Sequence, residues 1–288
     1  MICAFYFFQV VSKATDKKYN AAMKTRLGRQ ETQLLAYLQL RKRRTVRTGE
    51  LTDPLRLSRD QERELFRRLS RGGLIARVRP GLYLVPAHLP LGGAWAPNEI
   101  LALNTLMEDR NGRYQICGPN TFNRYGFDEQ VPVRVYAYNN RISGERTIGS
   151  IVFHLIKVAD ARLGSTEKTK TADGETAVYS SRARTLVDAV YDWSRFGSLP
   201  RAYGWVRADL KKKRVTAADL VTLTLRYGDI GTIRRVGVLL EREGAPKPLL
   251  TKLEAALSSS TGMIPWIPVA PKRGTVDRRW GVVINDGV

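Results

Sequence analysis

The sequence has 288 residues, enough for two or three domains. Its 48 lysine and arginine residues outnumber its 27 aspartate and glutamate residues, and the net charge of +21 predicts a polyanionic partner. No apolar run approaches the length of a membrane span, which excludes a membrane-spanning class. Two cysteines cannot form a disulfide framework, so we expect a reducing, cytoplasmic location.

Residues 1–22 begin with the apolar run ICAFYFFQVV. No basic residue precedes this run and no small-residue cleavage site follows it, so no signal peptide is predicted. We interpret residues 1–22 as an upstream extension, with Met23 as the candidate start, and an added strand or a partner-binding segment is the alternative. The cysteines and histidines show no zinc-ligand spacing, so neither a metal nor another cofactor is predicted.

Residues 30–41 are predicted to form the first helix of a DNA-binding domain, because their apolar positions recur at helical spacing. A basic run follows, formed by Arg41, Lys42, Arg43 and Arg44. This run complements the dipole at the end of a helix, and beside DNA it would contact phosphates. Thr48 is predicted to cap a short second helix that runs through Leu51 and is closed by Asp53-Pro54.

A longer helix is predicted from Ser58, which has the capping-box spacing to Gln61. One face is apolar, with Leu65, Phe66 and Leu69. Another face carries arginines four residues apart: Arg59, Arg63, Arg67 and Arg71. Gly72-Gly73 ends this helix, because glycine readily adopts the left-handed conformation of a C-terminal cap.

Residues 74–78 and 82–85 are predicted to be the two strands of a hairpin, joined through a type II turn at Pro80-Gly81. Arg77 and Arg79 are two residues apart, so we expect both side chains on one outward face, opposite Val78 and with no role in the core. The order of helix, short helix, long helix and hairpin is typical of a winged helix-turn-helix. Its long helix would enter the major groove, and its hairpin would lie over the backbone or minor groove.

Charge supports this interpretation, because residues 23–95 contain 16 basic and 6 acidic residues, a net charge of +10. The alternative is a solvated helix face in which Asp60, Glu62 and Glu64 pair with the arginines. The predicted DNA-binding residues are Arg41, Lys42, Arg43, Arg44, Thr48, Ser58, Arg59, Gln61, Arg63, Arg67, Arg77 and Arg79.

The remaining chain predicts an α+β protein with further domains. After a linker at residues 87–97, Asn98 caps a helix, and strands are expected at 131–138, 147–155 and 176–179, with a polar loop at 164–173. Residues 98–180 would form a small α+β region. From Ser181 onward the pattern predicts a mainly helical domain, with helices near 199–210, 217–227, 230–243 and 248–257 and a strand at 280–284.

Two parts of the sequence resemble the AbiEi family, the antitoxins of type IV abortive-infection toxin–antitoxin systems. Residues 69–86, LSRGGLIARVRPGLYLVP, resemble the end of its N-terminal winged helix-turn-helix. Residues 184–188 (RTLVD), 234–241 (RRVGVLLE) and 279–285 (RWGVVIN) resemble its C-terminal domain, and the resemblance extends over nearly all of residues 30–285.

The resemblance implies a bacterial antitoxin for phage defence that represses its own operon by binding double-stranded operator DNA, expected as inverted repeats upstream. Its functional partner would be a nucleotidyltransferase-like toxin. Neutralisation is attributed to the C-terminal domain, residues 181–288, and direct binding of the toxin stays open. No membrane partner is expected.

An enzyme is not predicted, and no catalytic residue is assigned. Asp188 and Asp192 form an acid pair on one helix, but an ion pair between Arg184 and Asp188 is the favoured interpretation. The alternative function is a C-terminal nuclease, with Asp128 or Glu145 beside the run at 167–170 (EKTK). The lysine spacing there is wrong, and the run is predicted to lie in a loop. The basic run at 211–214 is interpreted as a solvated helix end, with a second nucleic-acid or acidic-protein contact as the alternative.

Overall fold

The computed structural model describes residues 27–88, 95–257 and 262–286. The fold is α+β, as predicted. The chain divides into two compact units, one comprising the described residues up to Asn111 together with Glu145–Phe153, the other comprising Gly112–Gly144 and the described residues from His154 onward. The predicted boundaries at 86, 97 and 180 are not the boundaries of these units. The predicted N-terminal extension, with Met23, lies outside the described residues.

The first unit combines four helices with a small antiparallel sheet of three strands among its described residues. The elements are α1 (Arg29–Leu40), β1 (Thr45–Arg47), α2 (Thr52–Leu55), α3 (Arg59–Arg71), β2 (Ala76–Arg79), β3 (Leu82–Leu84) and α4 (Glu99–Asp109). The sheet has the order β1-β3-β2. Leucines of α1 and apolar residues of α3 share one buried core with Val46. The predicted first helix, long helix and hairpin are therefore confirmed.

The ends of α3 follow the predicted local chemistry. The Ser58 hydroxyl accepts a hydrogen bond from the Gln61 amide at 3.2 Å, and the Gln61 side chain accepts one from the Ser58 amide at 2.8 Å, which completes a capping box. At the other end, Gly73 has a φ of 68°, and the Leu74 amide donates to the Leu69 carbonyl at 2.9 Å. This left-handed cap turns the chain directly into the hairpin.

The short helix was predicted at the wrong place. Residues 45–47 form β1, and the Thr48 amide donates to the Gly81 carbonyl in the hairpin turn at 3.0 Å instead of starting a helix. The helix α2 begins four residues later and contains Asp53 and Pro54. Proline is accommodated there because amides in the first helical turn have no intrahelical acceptor.

The second unit combines a sheet with a helical core. Its strands are β4 (Tyr114–Ile116), β5 (Arg134–Asn139), β7 (Ile151–Lys157, of which residues 154–157 belong to this unit), β8 (Thr166–Lys170) and β9 (Thr176–Ser180). They lie in the order β7-β5-β4-β9-β8. A short helix, α5 (Pro119–Arg124), connects β4 to β5. The strand β6 (Gly144–Ile148) forms a hairpin with β7, and residues 145–153 of this hairpin belong to the first unit.

The helices of the second unit confirm the predicted C-terminal pattern. They are α6 (Arg182–Tyr191), α7 (Trp193–Phe196), α8 (Arg201–Lys211), α9 (Ala217–Tyr227), α10 (Ile230–Arg242) and α11 (Lys247–Ala255). A small sheet closes the unit in the order β10 (Ile264–Pro265), β12 (Val282–Ile284) and β11 (Thr275–Asp277). Trp266 and Trp280 are buried in the core that these helices and strands form.

Two predictions for the middle of the chain are wrong. The polar segment 164–173 contains strand β8, which pairs with β9 from Thr166 opposite Ser180 to Lys170 opposite Thr176. Its polar sequence suggested a loop, but a strand at the end of a sheet exposes one side and tolerates charged residues. The single strand predicted at 147–155 is instead the β6–β7 hairpin, which turns at Gly149 with a φ of 62°. No helix within the described ranges has the length and apolar character needed to cross a bilayer.

Candidate nucleic-acid interface

Helix α3 separates apolar from basic side chains by its helical period. Leu65, Phe66 and Leu69 are buried in the core of the first unit. Arg63, Arg67 and Arg71 are four residues apart and exposed. Because one helical face is fixed in the core, the arginine face is held in a defined direction away from it.

The hairpin is attached to this helix through an aromatic contact. Tyr83 of β3 stacks on Phe66 of α3 with 4.8 Å between the ring centroids. In the sheet, Arg77 of β2 lies directly opposite Tyr83, and opposite residues of an antiparallel pair share one face. The stacking and the register together place Arg77 next to the basic face of α3.

These residues surround a groove of about 400 Å³ in the first unit, lined by Arg63, Arg67, Ser70, Arg71, Arg77 and Tyr83. Four guanidinium groups and two hydroxyls are all hydrogen-bond donors, and guanidinium groups bind phosphate through paired N–H donors. The groove therefore has the chemistry of a polyanion-binding surface. It brings together three of the predicted DNA-binding residues: Arg63, Arg67 and Arg77.

Two groove arginines also pair with acids on their own helix, as the alternative interpretation proposed. Arg63 lies 3.4 Å from Asp60, and Arg67 contacts Glu64 at 2.5 and 2.7 Å. The hydrogen bond from Arg67 lowers the pKa of Glu64. Exposed pairs of this kind are weak and easily exchanged for a phosphate contact. Among the described residues, neither Arg71 nor Arg77 forms an ion pair.

The prediction that Arg77 and Arg79 share an outward face is wrong. The register of β2 shifts between these two residues, so that Arg77 lies opposite Tyr83 while Arg79 lies opposite Leu82. A bulge of one residue moves every following side chain to the other face of the sheet. Arg79 therefore lies on the same face as Ala76, Leu82 and Leu84, away from Arg77 and the groove.

Arg79 has an acidic partner on that face. Its Nε and Nη2 atoms donate to the two carboxylate oxygens of Asp109, the last residue of α4, at 2.5 and 2.7 Å. Arg47 of β1 donates to the same carboxylate at 2.9 Å. The hydrogen bond from Arg79 is the main cause that lowers the pKa of Asp109 to about 2, so the carboxylate is ionised at neutral pH.

The remaining predicted residues lie outside the groove. Arg41, Lys42 and Arg43 are exposed between α1 and β1, and Arg43 pairs with Glu50 at 2.7 Å. Arg44 is half-buried in the same connection. Ser58 and Gln61 cap α3, and Arg59 is exposed at its first turn. Sequence reasoning left Arg71, Ser70 and Tyr83 out of the site, although the arginine spacing already placed Arg71 on the same helical face.

A buried carboxylate holds the basic helix against the loop before α2. Glu62 is fully buried, and its two oxygens accept hydrogen bonds from the amides of Gly49 at 2.6 Å and Leu51 at 2.9 Å. It therefore acts as a fixed support for α3 and is not one of the acids that pair with the arginines.

We predict that Glu62→Ala destabilises the first unit, because the Gly49 amide and the buried Leu51 amide lose their acceptor, and a buried group left unsatisfied costs about 1–3 kcal/mol. Urea denaturation, followed by circular dichroism, measures the loss. Glu64→Ala, on the exposed side of the same helix, is the matched control and should change the midpoint little. Equal midpoints for the two variants would show that the buried carboxylate does not support the helix.

The acidic residues considered for catalysis have structural partners in the second unit. Asp188 contacts Arg184 at 2.9 Å and Arg162 at 3.2 Å, and Asp192 accepts a hydrogen bond from the Tyr138 hydroxyl at 2.6 Å. The predicted ion pair of Arg184 and Asp188 is confirmed. Asp128 pairs with Arg201 at 2.7 Å. No group of three or more potential metal ligands occurs among the described residues.

The lysine-bearing run at 167–170 was expected in a loop but lies on strand β8. Alternate residues of a strand point to opposite faces, so Lys168 and Lys170 lie on the face opposite Glu167. This is not the arrangement in which an acid and a lysine share one metal-bound water. The basic run at 211–214 is exposed, with Lys211 as the last residue of α8 and the other three residues between α8 and α9.

Comparisons with known proteins add information on the fold. No protein-family model and no curated protein matches the chain. One solved structure that is similar is the "Crystal structure of RV2827C protein from Mycobacterium tuberculosis", with a TM-score of 0.57 and 15% sequence identity, covering 90% of this chain and 92% of that chain. At this identity the likeness is one of fold alone.

Proposed function

We propose that this protein binds duplex DNA in a sequence-specific manner, through a winged helix-turn-helix in its first unit. The observation that carries the proposal is the groove between α3 and the hairpin, into which four arginines converge. The element order from α1 to β3 and the net charge of +10 over residues 23–95 support the same conclusion.

In this proposal, α3 enters the major groove. Arg59 and Arg63 lie in its first turns, the part of a recognition helix that usually reaches base edges. Arg67, Arg71 and Arg77 contact phosphates along the backbone, where charge-assisted hydrogen bonds fix the position of the helix without reading the sequence. Arg79, which the sequence suggested for the hairpin contact, is not part of this surface because it is bound to Asp109.

We further propose, from the resemblance to the AbiEi family alone, that the protein is the antitoxin of a type IV system in the cytoplasm. It would repress its own operon at inverted repeats and counteract a nucleotidyltransferase-like toxin without being an enzyme. DNA binding then belongs to the first unit, and neutralisation is assigned to the second.

The proposal is tested by titrating the full chain with a duplex taken from upstream of its own coding sequence and with a scrambled duplex of equal length. We expect tighter binding to the upstream duplex. The logarithm of the binding constant should fall linearly with the logarithm of the salt concentration, and each phosphate contact should contribute about 0.9 to this salt slope. Equal binding to both duplexes would contradict sequence-specific recognition. Co-expression with the neighbouring gene tests the antitoxin role, and cell death despite the co-expressed protein would contradict it.

A further inference from the structure

The three-stranded sheet of the first unit places two arginines in one row on the face opposite the groove. Arg47 of β1 and Arg79 of β2 both lie opposite Leu82 of the central strand β3. Residues in one such row share a face of the sheet, so both guanidinium groups are directed to the same side. The bulge after Arg77 is what brings Arg79 into this row.

Both arginines of this row converge on Asp109, which is 62 residues from Arg47 and 30 residues from Arg79 along the chain. The Asp109 side chain is only 5% exposed, whereas the Arg47 and Arg79 side chains are 50% and 34% exposed. The carboxylate is therefore shielded while both cations remain within reach of solvent. Arg79 is fixed most firmly, because its bidentate contact uses both oxygens of the carboxylate.

We propose that Asp109 limits the sequence-independent affinity for DNA, because it keeps Arg47 and Arg79, on the face of the sheet opposite the groove, from binding phosphates. The inference rests on the proposed DNA-binding function and deepens it. A phosphate contact raises the affinity for every sequence alike and so carries no sequence information. Withholding two such contacts lowers the affinity for every duplex by the same factor and leaves DNA binding to the arginines that line the groove.

The chain offers a direct test through the salt dependence of binding to a mixed-sequence duplex of about 20 base pairs, long enough to span two helical turns. Asp109→Asn keeps the size of the side chain and removes its charge, which frees the two arginines. We expect the salt slope of the full chain to increase by up to about 1.8, twice the contribution of one phosphate contact. The affinities for the upstream duplex and for the mixed-sequence duplex should rise by the same factor, so the preference for the upstream duplex should stay unchanged.

Two matched variants separate this effect from a change in folding. Arg47→Ala/Arg79→Ala, with Asp109 intact, should keep the wild-type salt slope, because these arginines do not contact DNA in the wild-type protein. Arg47→Ala/Arg79→Ala/Asp109→Asn should return to the wild-type slope, because the freed cations are gone. Circular dichroism of each variant establishes that it is folded before binding is measured.

Three results would overturn the inference. A wild-type slope in a folded Asp109→Asn variant would show that the arginines are not released. A slope reduced by about 1.8 in Arg47→Ala/Arg79→Ala would show that both already bind phosphate, and this variant decides the question even if Asp109→Asn does not fold. Wild-type protein that binds no duplex would overturn the proposed function as well, whereas the first two results leave it intact.

Discussion

Replacing Arg67, Arg71 and Arg77 together with alanine is expected to reduce the affinity for all duplex sequences by on the order of a hundredfold at physiological salt. The three side chains line one groove on α3 and β2, and each would lose one phosphate contact. The salt slope should fall by about 2.7, which is three times the contribution of one contact. Fluorescence anisotropy with a labelled duplex at several salt concentrations measures both quantities.

Arg68→Ala is the matched control for this triple variant. Arg68 lies on the same helix and carries the same charge, but it contacts Glu31 of α1 at 3.2 Å and does not line the groove. Its substitution should leave the salt slope unchanged. If Arg68→Ala reduced the salt slope by one third of the reduction in the triple variant, DNA binding would depend only on the overall charge. The groove would then have no special role.

Local sequence signals were sufficient to predict the position of most helices of this fold. The cap of α3 at Ser58 and its end at Gly73 are decided by contacts within a few residues, so they can be read directly from the chain. Periodicity also located α9, which spans the predicted residues 217–227. The predictions are wrong where contacts between residues distant in sequence decide the secondary structure. Strand β8 forms because β9 offers it a partner, although its own residues are polar and suit a loop.

The candidate site shows the same division between local and distant causes. The arginine stripe of α3 follows from a spacing of four residues and was predicted. The direction of Arg79 depends on a bulge, which is a property of the register between two strands and has no signal in the residue pattern. Its partner Asp109 comes from another helix, α4, so pattern reasoning had no means of joining them. A prediction of side-chain direction from alternation alone holds only while the register is regular.

The second unit depends on a buried charge cluster that is expected to dominate its stability. Arg184 and Asp188 have side chains 0% and 1% exposed, and Arg162 contacts the same carboxylate. The Arg184 guanidinium also lies 3.6 Å from the centroid of the Tyr227 ring. Burial raises the pKa of Asp188, and the two guanidinium groups counteract this shift. The favourable contacts therefore offset a desolvation cost, and they do so only while all the charges are present.

Asp188→Ala should lower the free energy of unfolding by about 3–5 kcal/mol, because it leaves the fully buried Arg184 without its counter-charge. Urea denaturation followed by tryptophan fluorescence measures the loss, since Trp266 and Trp280 are buried in this unit. Asp160→Ala is the control, because Asp160 pairs with Arg113 in an exposed ion pair and its removal should change the midpoint little. If both variants unfolded at the same urea concentration, the buried cluster would not stabilise the unit. Arg184 and Asp188 are also the charged residues of the RTLVD segment, so the expected result would explain that segment by the packing of α6 and not by contact with a partner.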